Sequence, residues 1–421
     1  MGQGRAFSKT FAPHPHAKRL VRALPGGSGG DARASLRPTG AWSLPETPAL
    51  HVVELPFETM DAARAEWAAL AARALEPNPF FEPGFALAAA QHLPADDRPR
   101  FIAVRNRQGA LAAVFPLAPS GVAGEGGLLR LWRGELAALA TPLVDRAQAP
   151  EALAAFLDWA ARSSPAAAAL FPRIMPGGAF HAALIEAARL GGRRVETLES
   201  YARAALLSGG SAEEKCAQAG GRKRLNEIGR MRRRLAESGR VEVEIVAAPR
   251  AVRAAVEEFL ALEASGWKAG RGAFLSEPSL ATFLRSATRL LSAEGLCRVA
   301  ALRLDGRAVA MGILLESQNR SYFWKIAYDE ALRAQAPGVQ LAFALTELQL
   351  ARPELELTDS CAIANHPMID RLWPERIAIA DLAVSLDDKG FGSALRRERT
   401  RRRIREFAKR VALRVLERKP S

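Results

Sequence analysis

Residues 322–338 read Tyr-Phe-Trp-Lys-Ile-Ala-Tyr-Asp-Glu-Ala-Leu-Arg-Ala-Gln-Ala-Pro-Gly, and an apolar pattern with the period of a helix follows directly. This stretch predicts an aromatic β-strand, a polar turn and a helix that starts at Pro337-Gly338. A helix start offers backbone N–H groups without acceptors and a partial positive charge, so it can bind a phosphate group. The junction therefore predicts an enzyme that uses a phosphorylated cofactor.

The bulk composition is that of a folded globular protein. The chain has 421 residues, of which 49% are hydrophobic and 25% charged, and this length favours two domains. The apolar runs are shorter than the ~20 residues that span a membrane, and the basic N-terminus has no apolar stretch typical of a secretory signal. Three widely spaced cysteines (Cys216, Cys297, Cys361) indicate a reducing compartment without disulfides or a zinc site. We expect a cytoplasmic protein without a metal.

Positive charge is concentrated in three segments of the sequence. The chain has a net charge of +14, while residues 1–48, 222–240 and 389–421 carry +5, +6 and +10, which leaves the rest at −7. Basic segments of this kind bind nucleic acid or an anionic membrane surface. They are equally compatible with a solvated surface in an arginine-rich protein, and the sequence leaves this choice open.

The order of predicted elements divides the chain into two similar halves. Each half is predicted to read β-α-α-β-β-β-α-β-α-β, so each has a mixed central sheet flanked by helices in an α/β (α+β) fold. The predicted elements include helices at 60–75, 83–92 and 278–293 and strands at 168–174, 297–304 and 354–359. The tail is rich in Pro, Gly, Ser and Arg and is expected to be disordered. The predicted segments are the basic tail (1–48), the N-terminal half (49–208), a basic connector helix (209–239, helical from Gly221 to Ser238), the C-terminal half (240–388) and a basic amphipathic helix (389–421).

Several segments of the C-terminal half resemble a known family. They are Gly266-Trp267-Lys268, residues 304–310, residues 324–330 and Pro337-Gly338, in this order. Together with the predicted element order, they resemble the GNAT acyltransferase fold and, within it, the CelD-type acetyltransferases associated with cellulose biosynthesis. The resemblance is carried by residues 220–385. FemAB-type aminoacyl transferases also contain tandem GNAT-like halves and are the nearest enzymatic alternative.

The resemblance implies acetyl-CoA or another acyl-CoA as cosubstrate, with no metal. The GNAT pyrophosphate loop usually reads Arg/Gln-x-x-Gly-x-Gly/Ala, whereas this chain has Gln at the third position and a proline without an N–H inside the loop. Because of these departures from the usual loop, we expect either weak binding of acyl-CoA or an activated acyl donor other than acyl-CoA. The expected cofactor-binding residues are Arg333, Gln335, Gly338, Val339 and Gln340. The N-terminal half lacks a comparable strand-to-helix junction, so we expect it to bind no cofactor and to shape the acceptor site.

Ionisable side chains follow the predicted strands next to this junction. Asp329 and Asp359 each end a strand, and His366 opens a short helix, so they are expected at the edge of the sheet where ligands bind. We predict Asp359 and His366 as a proton-handling pair, Asp329 as the group that orients the acceptor amine, and Tyr328 as the acid for the leaving thiolate. Alternatively, Asp359 caps a turn and His366 only starts a helix.

Aromatic and basic residues are the candidates for the acceptor side. Trp267 and Lys268 line the acceptor cleft, as the resemblance implies, or Trp267 is an ordinary core residue. Trp324 and Lys325 are predicted to bind substrate, although strand alternation is compatible with a solvent-facing Lys325. The acceptor is expected to be a small molecule or a sugar.

Two basic helices suggest partners. The connector has Leu225, Ile228, Met231 and Leu235 at helical spacing, with a basic opposite face that is compatible with tRNA, with the CoA 3′-phosphate or with solvent. In 389–421, an apolar stripe (Ile404, Phe407, Val411, Val415) lies among arginines, which is typical of helices on anionic membranes or of helices packed on a partner or on the protein itself. Phe407 is the one aromatic residue of this stripe, which makes nucleic acid a poor partner.

Function therefore has three candidate interpretations. The first is a GNAT acyltransferase, with a possible link to cellulose or exopolysaccharide biosynthesis. The second is a non-catalytic scaffold of envelope polysaccharide assembly. The third is a FemAB-like aminoacyl-tRNA-dependent transferase. The sequence does not indicate an oligomeric state.

Overall fold

The computed structural model describes residues 50–119, 127–266 and 272–417, with side chains described up to residue 408. The strands in these residues are β1 (His51–Leu55), β2 (Arg100–Arg105), β3 (Leu111–Leu117), β4 (Leu128–Arg130), β5 (Leu143–Val144), β6 (Ala168–Ile174), β7 (Val195–Leu207), β8 (Val241–Val246), β9 (Cys297–Leu304), β10 (Arg307–Ser317), β11 (Arg320–Tyr328), β12 (Leu357–Asp359) and β13 (Glu375–Ser385).

The α-helices in the same residues are α1 (Phe57–Ala62), α2 (Arg64–Ala72), α3 (Pro83–His92), α4 (Ala149–Ser163), α5 (Ala179–Leu190), α6 (Ala212–Ala236), α7 (Pro249–Ser265), α8 (Pro278–Ala293), α9 (Pro337–Leu350) and α10 (Asp388–Glu417). Short 3₁₀ helices span Ala95–Asp97, Phe274–Ser276, Glu330–Gln335 and Ile369–Arg371. The element order matches the predicted order closely.

The two halves of the chain share one sheet. Within the described residues, the strands form a four-stranded sheet, β1-β2-β3-β5, and a nine-stranded sheet, β4-β6-β13-β7-β12-β11-β10-β9-β8. Strand β7 of the first half lies between β12 and β13 of the second half, and β13 lies between β6 and β7 of the first. The exchanged strands pair antiparallel along their length, from Glu375↔Ala205 to Val384↔Val195. The predicted bounds of the halves, 49–208 and 240–388, stay a prediction. The nine-stranded sheet contains strands from both of these ranges.

Helix packing also joins the halves. Helix α8 begins with Pro278 at its first position, and its buried residues recur at helical spacing (Ala281, Leu284, Thr288, Leu291). This face packs against α3 of the first half. A Cβ at Gly84 of α3 would lie 3.1 Å from the Leu290 Cβ and 3.2 Å from the Leu291 N, so the close approach of the two helices favours a glycine.

Three predicted elements differ from the structure. The connector helix α6 begins at Ala212 and not at Gly221, because Ser211 and Glu214 form a capping box that starts the helix earlier. Gly221 has φ +76° and interrupts the helix as a kink, and the last helical residue is Ala236 rather than Ser238. The predicted helix 60–75 is two helices that meet at Ala63. The predicted strand 354–359 retains only its last three residues as β12.

A buried acid lies where the halves meet. Glu82, directly before α3, is 3% exposed and accepts a hydrogen bond of 2.6 Å from the Ser317 hydroxyl at the end of β10. Burial raises the pKa of Glu82 to about 7. The folded protein therefore retains a proton that the unfolded chain releases near pH 4.5. Its contribution to stability is complete at low pH and falls as the pH rises from 4.5 to 7.

We predict that Glu82→Gln removes this pH dependence. Between pH 5 and 8, the free energy of unfolding of the wild type should fall relative to that of Glu82→Gln by up to about 3 kcal/mol. Urea unfolding at both pH values measures the difference, with the exposed Glu58→Gln as the matched control. Parallel pH profiles for wild type and Glu82→Gln would contradict the assignment.

Candidate active site

The nine-stranded sheet opens between β11 and β12. These two parallel strands pair only from Arg320↔Leu357 to Tyr322↔Asp359. Strand β12 then ends, while β11 continues to Tyr328 paired with β10 alone. The last part of β11 therefore has no strand paired to one of its two edges, although β11 lies in the middle of the sheet and not at its end.

A buried ion pair accounts for the opening. Asp359 is fully buried, and its Oδ2 accepts a hydrogen bond of 2.5 Å from Nη2 of Arg203 on β7. The other guanidinium nitrogen, Nη1, donates to the Ala138 carbonyl at 3.0 Å. The Asp359 Oδ1 accepts from the Cys361 N–H at 2.9 Å, which turns the chain away from β11, and Cys361 has φ +53°. This pair holds β12 against β7 and ends its pairing with β11.

A cavity of about 470 Å³ lies at this opening, beside the start of α9. It is bounded by the end of β11, the end of α7, the 3₁₀ helix 330–335, the first residues of α9 and the segment 366–368. The lining residues include Glu263, Ile326, Ala327, Tyr328, Glu330, Arg333, Gly338, Val339, His366 and Met368. The junction predicted from the sequence is therefore the wall of a cavity.

The start of α9 presents backbone to the cavity. Ala336, the residue before the helix, has the left-handed φ of +48°, and its carbonyl accepts from the N–H groups of Val339 and Gln340 at 3.0 and 3.1 Å. Pro337 has no N–H, so the Gly338 amide is the first donor of the helix, and no backbone acceptor is paired with it in the described chain. A Cβ at Gly338 would lie 3.2 Å from the Tyr328 ring. Glycine keeps this helix start accessible.

The predicted cofactor-binding residues separate into two groups. Arg333, Gly338 and Val339 line the cavity. Gln335 and Gln340 do not: the Gln340 Nε2 donates to the Gln335 carbonyl at 2.7 Å and closes the loop on itself. Glutamine at the third loop position thus has a structural role in the turn.

His366 lines the cavity from the opposite side. Its Nδ1 accepts hydrogen bonds from the Met368 and Ile369 N–H groups at 3.3 and 3.5 Å. In this arrangement, the neutral imidazole carries its proton on Nε2 and offers a donor. His366 lies three residues before the 3₁₀ helix Ile369–Arg371, accepts from the N–H groups at its start and lines the cavity.

Asp359 does not contact His366 in the described part of the chain. Its carboxylate is used by Arg203 and by the Cys361 N–H, so it caps a turn and carries a buried ion pair. Burial, together with the Asp359 carboxylate, raises the pKa of the Cys361 thiol well above its usual range, which keeps this thiol protonated. The predicted pair of Asp359 and His366 is thus separated into one residue at the sheet opening and one at the cavity.

Tyr328 and Asp329 follow β11 but have different surroundings. The Tyr328 side chain is 38% exposed and lines the cavity. The Asp329 Oδ1 caps the 3₁₀ helix by accepting from the Ala331 N–H at 2.9 Å, and its Oδ2 pairs with Arg307 at 2.6 Å. Among the described lining residues of the cavity, Asp329 is absent.

The residues predicted to bind substrate lie elsewhere or outside the described chain. Trp324 is 7% exposed, packs edge-on against Phe80 and Phe85, and donates to the Leu136 carbonyl at 2.7 Å, which joins the halves. The Lys325 Nζ lies 5.4 Å from the Phe274 ring centroid and 5.5 Å from that of Trp324. Trp267 and Lys268 lie outside the described residues.

Two carboxylates at the cavity were missed. Glu263 is 5% exposed and its Oε2 accepts from the Phe274 N–H at 2.9 Å, and Glu330 lies on the 3₁₀ helix after β11. The sequence contains a pattern that could have identified Glu263, because Glu263 continues the apolar stripe of α7 after Val252, Val256 and Phe259. An acid at a buried position of an amphipathic helix indicates a site.

The described residues form neither a metal-binding cluster nor a helix that could span a membrane. They contain no group of three or more His, Cys, Asp or Glu side chains arranged to hold a metal ion. None of their helices combines the length and the apolar character that crossing a bilayer requires.

We predict that Arg203→Met destabilises the fold by about 3–5 kcal/mol, because the Asp359 charge is left buried and unpaired. The control is Arg285→Met, which breaks the exposed pair with Glu257 and should cost at most about 1 kcal/mol. Chemical unfolding at neutral pH measures both. Equal, small losses for the two variants would refute the role of the buried pair.

Comparisons with known proteins agree with this geometry. Residues 222–356 match the family described as an acetyltransferase (GNAT) domain. The match includes Tyr328, Arg333 and Gly338 and ends before Asp359 and His366. No curated protein matches the chain in sequence.

Solved structures with a similar course of the chain are distant in sequence. A conserved protein of unknown function from Bacteroides thetaiotaomicron is 12% identical, over 80% of this chain and 100% of that chain, with a TM-score of 0.50. The C-terminal domain of a putative lysylphosphatidylglycerol synthetase from Agrobacterium fabrum is 17% identical over 80% and 94%, with a TM-score of 0.48. FemX is 13% identical over 78% and 96%, with a TM-score of 0.48. At these identities the likeness concerns the fold alone.

The predicted α/β fold with tandem GNAT-like halves is thus confirmed, and residues 222–356 match the acetyltransferase (GNAT) domain family.

Proposed function

We propose that this protein is an acyltransferase that moves an acyl group, most simply acetyl, from acyl-CoA to an amine or hydroxyl acceptor. The observation that carries the proposal is the cavity at the opening of the sheet, where the start of α9 meets the end of β11 and His366. A helix start beside an arginine suits a phosphate-bearing cosubstrate.

The residues at the cavity fit the phosphate groups of an acyl-CoA. The Gly338 amide and the positive end of α9 favour a pyrophosphate, and Arg333 adds a cationic donor at the same wall. The lack of a side chain at Gly338 leaves room for close approach, because a Cβ there would already touch Tyr328. This turn offers one backbone N–H donor fewer to the pyrophosphate than a loop without proline, since Pro337 has no N–H.

Proton transfer can be divided among the groups at the cavity. Acyl transfer forms a bond from the acceptor to the acyl carbon, breaks the thioester C–S bond, and moves one proton from the acceptor to the thiolate. We assign proton donation to the Tyr328 hydroxyl, proton acceptance to Glu263 or Glu330, and a hydrogen bond to the developing oxyanion to the His366 Nε2–H. In this scheme His366 stabilises charge as a neutral donor, whereas the sequence predicted a proton-handling residue.

The acceptor and pathway rest on the sequence resemblance. The segments 304–310 and 324–330 resemble CelD-type acetyltransferases, which supports a sugar or a small amine as acceptor and a link to cellulose or exopolysaccharide biosynthesis. We place the reaction in the cytoplasm, where acyl-CoA is made.

A second candidate donor is aminoacyl-tRNA. Helix α6 docks through Ile228 and Leu235, which are buried. Outside this buried stripe the helix exposes six basic side chains, Arg222, Lys223, Arg230, Arg232, Arg233 and Arg234. This face supports a polyanionic partner, and the binding experiment below distinguishes the donors.

We predict that acetyl-CoA stabilises the protein against heat. A ligand at 100 times its dissociation constant adds ~2.7 kcal/mol, which raises Tm by ~2–4 °C. Gly338→Trp should abolish the shift by filling the cavity, whereas Ala293→Trp, on the exposed face of α8, should keep it. Differential scanning fluorimetry with acetyl-CoA, CoA and ATP measures this. If neither acetyl-CoA nor CoA shifts Tm, aminoacyl-tRNA as the donor or a non-catalytic scaffold becomes the favoured interpretation.

We also predict that His366→Ala lowers kcat by about 10²–10³-fold, as expected for the loss of a hydrogen-bond donor to the oxyanion. The KM for acetyl-CoA should change little. Thiol release from acetyl-CoA with a panel of amino sugars and amines measures the rate, and the exposed His51→Ala is the control. Unchanged turnover would remove His366 from the mechanism.

A further inference from the structure

The last described helix, α10, has two faces with different surroundings. Phe391, Ala394 and Leu395 are buried against the apolar cluster that includes Leu128, Ala168, Leu170 and Ala383 of the nine-stranded sheet region. One turn further on, Glu398 is buried and pairs with Arg130 at 2.6 Å. These contacts fix the rotation of α10 about its axis.

Arg402 continues the docked face. Its guanidinium pairs with Asp381 and Glu199 at 2.6 Å each and with Glu398 at 2.9 Å. At 100° per residue, Arg402 lies within ~20° of Phe391 around the helix. Ile404 and Phe407, the described part of the stripe predicted from the sequence, therefore face away from the docked side of the helix.

The outward face combines apolar and cationic side chains. Ile404 and Phe407 are 63% and 67% exposed. Arg396 and Arg403 flank them on one side, and Arg397 and Arg401 on the other. In the described part of the chain, none of these four arginines has an ion-pair partner. Because Ile404 and Phe407 are largely exposed, they do not pack on the part of the protein that the structure describes.

The charge pattern selects among partners. A second copy of the same face would bring the flanking arginines of both copies together, which is repulsive. RNA would offer phosphates, but Phe407 is the single aromatic side chain of this segment available to stack a base. A surface that is apolar inside and anionic at its rim satisfies both features, and an anionic lipid bilayer has this structure.

We propose that the outward face of α10 docks the protein on an anionic lipid surface, with Ile404 and Phe407 inserted at the level of the headgroups. Arg396, Arg397, Arg401 and Arg403 lie where they contact lipid phosphates. The sequence continues the pattern beyond the described side chains, with Val411 and Val415 among Lys409, Arg410 and Arg414. Docking by this face is peripheral and independent of the cavity at β11.

Vesicle flotation of the full chain tests the proposal. The protein should float with vesicles that contain phosphatidylglycerol and phosphatidylcholine, and should stay behind with phosphatidylcholine alone. Ile404→Ser/Phe407→Ser should lower the partition coefficient at least about tenfold, because two large apolar side chains are lost from the interface. Raising NaCl from about 0.1 to about 0.5 M should weaken binding through screening.

A matched control separates this face from general surface hydrophobicity. Leu190→Ser/Leu275→Ser removes two exposed apolar side chains elsewhere and should float as the wild type does. All of these positions are exposed, so the variants should unfold at the wild-type temperature. Failure of the wild type to float with phosphatidylglycerol would overturn the proposal. Flotation of Ile404→Ser/Phe407→Ser at the wild-type level would also overturn the proposal. A third contradicting result is a wild type that self-associates without binding vesicles, together with a variant that no longer self-associates.

Discussion

The buried pair of Arg203 and Asp359 is the interaction on which the site depends. It joins a strand of the first half to a strand of the second and lies in full burial, where a single charge would be very costly. The same carboxylate caps the turn at Cys361. One side chain therefore ends β12, redirects the chain and leaves the edge of β11 accessible.

The consequence is a cavity with three kinds of chemistry on its walls. The edge of β11 and the start of α9 provide backbone, Arg333 provides a cation, and His366 provides a donor whose orientation is fixed by the N–H groups of the 3₁₀ helix. Buried Glu263 adds a carboxylate from α7. Because β7 and β13 are exchanged between the halves, the opening is formed within a continuous sheet, which keeps these walls in register.

The sequence predicted the elements well and the roles of the side chains less well. The periodicity was strong enough to give α3, β6, α8 and β9 with their observed bounds, and Pro337-Gly338 marked the start of α9 correctly. Strand exchange was not predictable, because each strand has the same pattern whichever neighbour it pairs with. Asp359 shows the limit for the site: a strand-ending aspartate is compatible with a base or with a buried ion pair, and only the distant Arg203 decides. The capping box at Ser211 was present in the sequence and was overlooked.

We propose that the opening of the sheet between β11 and β12 is the acyl-CoA site. Hydrogen–deuterium exchange with and without acetyl-CoA tests it most directly, since backbone amides at the cavity should become protected on binding. The account predicts protection confined to residues 326–340 and 366–368. Protection elsewhere, such as at residues 127–134 of the first half, or no change at saturating acetyl-CoA, would contradict it.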